Sequence, residues 1–261
     1  MKPIQSPDHQ QLDAKSRIIV ALDVDSAEAA REIVRELSNS VGGFKIGLQL
    51  FTAEGPSIVR EFVEDGSRIF LDLKFHDIPN TAAKASVEAA RCGVWMFNLH
   101  TAGGSEMMRR SVGEVGDICE REGLVRPLII GVTVLTSMAP DALVETGIER
   151  SMDEQVKRLS VLAAECGLDG VVASALEAQM IRRSVENREF CIVTPGLRPA
   201  SGTFDDQSRV STPGAALAAD ADFLVIGRPI VRAQNRSTAV ANIVSEIELA
   251  LNEMNFDETS N

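Results

Sequence analysis

The chain has 261 residues, too many for a peptide or a disulfide-stapled scaffold and enough for one large α/β barrel. Its 44% hydrophobic and 25% charged residues are ordinary globular composition, which excludes wholesale disorder. With 38 acidic against 26 basic residues the formal charge is −12. Such a surface repels phosphate backbones and anionic membranes, so any anionic ligand needs a local basic pocket.

The first 16 residues, MKPIQSPDHQQLDAKS, are polar and lack the apolar core of a secretory signal. They are expected to form a disordered tail, followed by one catalytic domain over 17–252 and a loose tail over 253–261. No apolar run approaches the ~18 residues of a membrane span, so the expected location is the cytoplasm. From Ile18 onward, short apolar, β-branched runs alternate with longer helix-like stretches. The runs are Ile18–Leu22, Gly43–Ile46, Ile69–Leu73, Met96–His100, Leu128–Thr133, Gly170–Val172, Cys191–Thr194 and Phe223–Ile226. Helices are expected over Ser26–Leu37 with a serine cap, Thr81–Arg91, Asp153–Glu165 and Ala239–Leu251. Eight strand–helix repeats fit a single (β/α)8 TIM barrel, with a doubly wound sheet as the competitor. The long irregular stretch Pro199–Thr212 reads as a lid. Cys92, Cys119, Cys166 and Cys191 show no metal spacing and read as buried free thiols.

In a barrel, chemistry sits at the C-terminal ends of the strands. There the first three strands carry Asp23, Lys45, Asp72 and Lys74, with His76 and Asp77 just beyond. The two-residue period of a strand points Asp72 and Lys74 to one face. Flanking carboxylates favour a charged Lys74 while burial opposes it. An ammonium so held is a poor nucleophile and a good proton donor. A salt-bridge network that only closes the barrel end fits the same spacing. The last two strands end in Pro195-Gly196-Leu197-Arg198 and Gly227-Arg228-Pro229, where barrels often bind phosphate. Gly227 permits close backbone approach and Arg228 offers a planar fork, although an ordinary strand-to-helix turn also explains Gly-Arg-Pro. His76 and His100 lack a third metal partner and read as packing residues, His9 falls in the tail, and Gly103-Gly104 reads as a tight turn.

The segments IIVALDVDS, FKIGLQLF, IFLDLKFHDIPNT, GVTVLTS, TPGLRP, DDQSRV and FLVIGRPI, in this order, closely resemble the bacterial type of orotidine 5′-phosphate decarboxylase. DLKFHDIPNT is the most specific element, and the resemblance runs from Arg17 to about Ile243. It implies a homodimeric barrel that converts orotidine 5′-monophosphate to UMP and CO₂ without metal or organic cofactor; the net charge already argues against nucleic acid and membrane as partners. By that resemblance Lys74, Asp72, Asp77 and Lys45 are catalytic, with Asp77 entering from the partner subunit. Asp23 and Lys45 match the ribose contacts, and Thr81 also reaches the substrate from across the dimer. Thr136, neighboured by Ser137, matches the pyrimidine contact, while Arg198, Gln207, Gly227 and Arg228 match the phosphate side.

Two rival readings compete with this one. A Mg²⁺-dependent sugar-phosphate decarboxylase of the 3-keto-gulonate 6-phosphate type shares the Asp-x-Lys-x-x-Asp strand but has a metal-binding glutamate where FKIG places Lys45, and a cation there repels the metal. A catalytically silent nucleotide-binding barrel would be expected to have lost part of the Asp/Lys array, which is complete here.

Overall fold

The structure, a computed structural model of the chain, describes residues 12–199 and 211–259. Eight parallel strands close into a barrel in sequence order: β1 (Ile18–Ala21), β2 (Gly43–Gly47), β3 (Ile69–Phe75), β4 (Met96–His100), β5 (Leu128–Val132), β6 (Gly170–Val172), β7 (Cys191–Thr194) and β8 (Phe223–Ile226). β8 pairs back onto β1 through Ile19 and Val225, which settles the topology in favour of the TIM barrel over an open sheet.

The strands read as continuous apolar runs because both of their faces are buried. Alternate residues fill the two sides. Ile19, Ala21, Phe70, Met96, Ile130, Val193, Phe223 and Val225 pack inside the barrel. Their neighbours Ile18, Val20, Leu71, Phe97, Ile129, Ile192 and Leu224 pack outward against the helices. Ser26 caps the helix Ala27–Leu37 by accepting the Ala29 N–H. Ser151 and Glu154 form a capping box ahead of Met152–Glu165. The helix Pro79–Arg91 starts two residues earlier than the spacing predicts, with Pro79 in its first turn. Gly104, at φ +86°, ends a short 3₁₀ turn over Thr101–Gly103 and opens the helix Gly104–Glu122, as the tight-turn reading of these glycines expects.

The two ends of the chain differ from the sequence reading. The last helix runs from Arg236 to Thr259, well past Asn252, where the loose tail was expected to begin. At the other end, Leu12 packs with Trp95 against the interior cluster and so covers the barrel floor. Buried Arg17 donates to the carbonyls of Leu12 and Asp222, tying this segment to the start of β8. Trp95 meets Phe223 edge-on, with ring centroids 5.1 Å apart, and Arg68 stacks on it at 4.9 Å. Residues 1–11 lie outside the described residues.

Asp222 is a hub of this floor. One of its carboxylate oxygens accepts the Ile192 N–H at 2.7 Å and an Arg182 N–H at 2.6 Å. Asp222→Ala leaves the buried Ile192 N–H without its acceptor and the half-buried Arg182 guanidinium without its carboxylate, although still bonded to the carbonyls of Phe190 and Asp220, a loss of roughly 3 kcal/mol. Urea unfolding is expected to show that loss while kcat at 25 °C stays at the wild-type value. A parallel loss of kcat in the folded protein would contradict a purely structural floor.

Candidate active site

At the opposite end of the barrel a cavity of about 370 Å³ opens between the C-terminal ends of the strands. That is within the usual size range for a small-molecule site. Its floor is apolar, made by Ala21, Phe70, Val132, Val172 and Val225. Its walls are charged. Asp23, Lys45, Asp72 and Lys74 form one side, Arg198 and Arg228 stand at the β7 and β8 ends, and Thr136 and Ser137 follow β5. Among the described residues four cations and two carboxylates line it, so the cavity is locally basic in a chain of charge −12.

Strand alternation explains the charged wall. In β2 the outward residues Phe44 and Ile46 join the helix-side core, which turns Lys45 into the barrel. Its Nζ lies 3.2 Å from Asp23 Oδ1 and 3.2 Å from Asp72 Oδ2. Lys74 Nζ reaches the other Asp72 oxygen at 2.6 Å. Asp72 thus bridges two ammonium groups, while Asp23 remains open to solvent on its far side. Burial pushes the Asp72 carboxyl up, but Lys45, Lys74 and the hydrogen bonds from Lys74 and Asn98 outweigh it and hold it below the usual carboxylate range.

Asp72 and Lys74 do share a face, yet not through a regular strand. Between Leu71 and Phe75, β3 advances four residues while β4 advances two, from Phe97 to Leu99. This bulge preserves the alternation because its excess is even. Within it Lys74 adopts φ +52°, a left-handed backbone rare for lysine. Its N–H donates to the Asn98 side chain at 2.7 Å, and Asn98 also donates to Asp72 at 2.7 Å. Sequence reasoning passed over Asn98; a polar residue at an interior position of β4, beside Asp72 of β3, is the signal that could have found it.

Gly227 lines the cavity, and a Cβ there would stand 3.3 Å from Ala21 Cβ, tighter than an ordinary contact. Leu197 bridges to Ser211, and Arg198 N–H donates to the Ser211 carbonyl at 3.1 Å, which pairs the described residues on either side of 200–210. Gln207 and most of the expected lid lie outside the described residues. Asp77 and Thr81 are exposed around the start of the helix Pro79–Arg91 and do not line this cavity; Asp77 accepts the N–H of Ile78. His76 and His100 face each other with ring centroids 5.4 Å apart, and burial, with His76 and Lys74 nearby, pushes the His100 imidazole down. The four cysteines are free and buried. Among the described residues no helix is long and apolar enough to cross a membrane.

Comparison with known proteins agrees with this geometry. The family model described as Orotidine 5′-phosphate decarboxylase / HUMPS family matches residues 16–243. A relative from Syntrophotalea carbinolica named orotidine 5′-phosphate decarboxylase is 49% identical over 242 residues, covering 93% of this chain and 99% of its own. One of the same name from Moorella thermoacetica is 49% identical over 92% of this chain and 95% of its own. Among solved structures, orotidine 5′-phosphate decarboxylase from Lactobacillus acidophilus superposes with a TM-score of 0.78 at 33% identity, covering 88% of this chain and 98% of that one. With the family's pattern spanning nearly the whole barrel and relatives matching it end to end, the chain belongs to the orotidine 5′-phosphate decarboxylase / HUMPS family.

Proposed function

We propose that the chain converts orotidine 5′-monophosphate to UMP and CO₂, the last step of de novo pyrimidine nucleotide synthesis, in the cytoplasm and without a metal or organic cofactor. The observation that carries this reading is the Asp23–Lys45–Asp72–Lys74 array on one wall of a cavity whose β7 and β8 ends bear arginines. In the reaction the bond between ring carbon 6 and the carboxyl group breaks, CO₂ departs, and its bonding pair stays on carbon 6. A fixed ammonium at Lys74 stabilises that developing carbanion and then delivers its proton to carbon 6, to be replaced from water. Asp23 and Lys45 are assigned to the ribose hydroxyls, Thr136 to the pyrimidine, and Arg198, Gln207, Gly227 and Arg228 to the phosphate. Asp77 and Thr81 are assigned to the neighbouring site of a homodimer, and their absence from their own chain's cavity supports that assignment.

The family description carries a second name beside that of the decarboxylase, so the site is used to select the substrate. Lys45 favours the nucleotide. Its ammonium fills the space between Asp23 and Asp72, where a Mg²⁺-dependent sugar-phosphate enzyme would need a metal. The deciding assay follows the absorbance of orotidine 5′-monophosphate in EDTA. Steady turnover is expected; no turnover, or turnover restored only by Mg²⁺, would refute the proposal.

Arg228→Ala tests the phosphate side. Arg228 is exposed at the cavity rim, so the barrel should fold normally. Loss of a charge-assisted, bidentate contact is expected to raise KM for the nucleotide about 10- to 100-fold. The phosphate-free nucleoside should bind equally to both proteins. Equal weakening of nucleoside and nucleotide would remove Arg228 from the phosphate site.

A further inference from the structure

Asn98 lies midway along β4, is 1% exposed, and points into the barrel between Met96 below and His100 above. An apolar residue of similar size would suit that packing position. Instead the amide is used at both ends. Its Oδ1 accepts the Lys74 backbone N–H and its Nδ2 donates to Asp72 Oδ1, each at 2.7 Å. The partners fix this orientation, since a backbone N–H only donates and a carboxylate only accepts.

These two bonds stand where the β3–β4 ladder is interrupted. A left-handed backbone is costly for a residue with a Cβ, and it persists only where its surroundings over-determine it. A buried N–H that has left its ladder also needs a new acceptor. Asn98 meets both needs in one contact, and with its other end it sets the carboxylate on which Lys74 Nζ rests at 2.6 Å. Asp72 is held from three strands, by Lys45 of β2, Lys74 of its own strand and Asn98 of β4.

We infer that Asn98 is a positioning residue for the decarboxylation. It holds Lys74 in its left-handed turn and aims the Asp72–Lys74 pair at the cavity, without itself lining it. The inference rests on the decarboxylase reading above and adds a group that the motif resemblance does not assign. Two neighbouring choices show why asparagine suits the place. Aspartate would set a second carboxylate 2.7 Å from Asp72, and leucine would leave the Lys74 N–H without its acceptor and take one of two donors from Asp72 Oδ1.

The test uses Asn98→Leu, which keeps the heavy-atom count and the branching at Cγ, and Asn98→Ala, which leaves room for water to take over part of both bonds. In folded Asn98→Leu, kcat is expected to fall about 10²-fold, the scale on which a misplaced reacting group acts. KM and UMP affinity should stay within about threefold of wild type, the pattern of an interaction needed in the transition state only. Asn98→Ala should lose less kcat than Asn98→Leu, and it carries the test alone if the leucine variant does not fold. A kcat within threefold of wild type in a folded variant would overturn the inference, as would a loss confined to melting temperature. A crystal structure of the variant gives a readout independent of turnover: Lys74 should leave positive φ and its contact with Asp72 should lengthen. If both features persist, Asn98 is not what holds them. Failure of the wild-type protein to decarboxylate, by contrast, would overturn the reading of function and leave the structural result to judge Asn98.

Discussion

Lys74→Ala is expected to bind UMP and to release no measurable CO₂ from orotidine 5′-monophosphate. The remaining array explains why the variant should fold and bind. Asp72 keeps Lys45 at 3.2 Å and Asn98 at 2.7 Å, so its buried carboxylate is still paired. Arg198 and Arg228 at the other side of the cavity are untouched. What disappears is the one ammonium assigned to the carbanion and to its proton. A lost general acid is worth about 10²–10⁴ in rate, and the loss of electrostatic stabilisation adds to that. Absorbance assays give kcat, and calorimetry gives the UMP dissociation constant. A variant with more than a tenth of wild-type kcat would remove Lys74 from its role.

Recovery of activity on mixing two dead variants is the second large effect expected. Asp77 and Thr81 stand exposed outside the cavity of their own chain, where they can serve a neighbour. Lys74→Ala and Asp77→Ala should each be inactive as homodimers. After subunit exchange, a heterodimer holds one site with both defects and one with neither. Equal mixing makes half of the dimers heterodimers, so roughly a quarter of wild-type sites should return under closed two-fold symmetry. Proven exchange without recovery would assign Asp77 to its own subunit or to no site.

The strands were legible because burial on two faces writes them as unbroken apolar runs, and runs such as Met96–His100 and Cys191–Thr194 fall at the residues expected. The charged wall was legible for a different reason: Asp23, Lys45, Asp72 and Lys74 each sit at the end of such a run, where a barrel exposes its chemistry. Other features were not legible. Nothing local marks Lys74 for a left-handed backbone, because lysine has no preference for it; the shape is imposed by Asn98, 24 residues away on another strand. Nor does the polar segment ahead of Arg17 show that Leu12 closes the floor, since its partners Trp95 and Asp222 lie far along the chain. The last helix was cut short because NEMNF and DET carry little apolar pattern of their own.

Closure of the ring between β1 and β8 has a consequence for how the chain is made. Ile18 pairs with Leu224, and Arg17 bonds the carbonyl of Asp222, 205 residues later. A nascent chain that has not yet released Phe223–Ile226 from the ribosome therefore carries two open strand edges, β1 and β7, together with an uncovered apolar interior. Such edges template pairing with other chains, and contacts of this sequence separation form slowly. The interval between emergence of β7 and docking of β8 is thus when this protein is most exposed to aggregation, and when a chaperone would have most to protect.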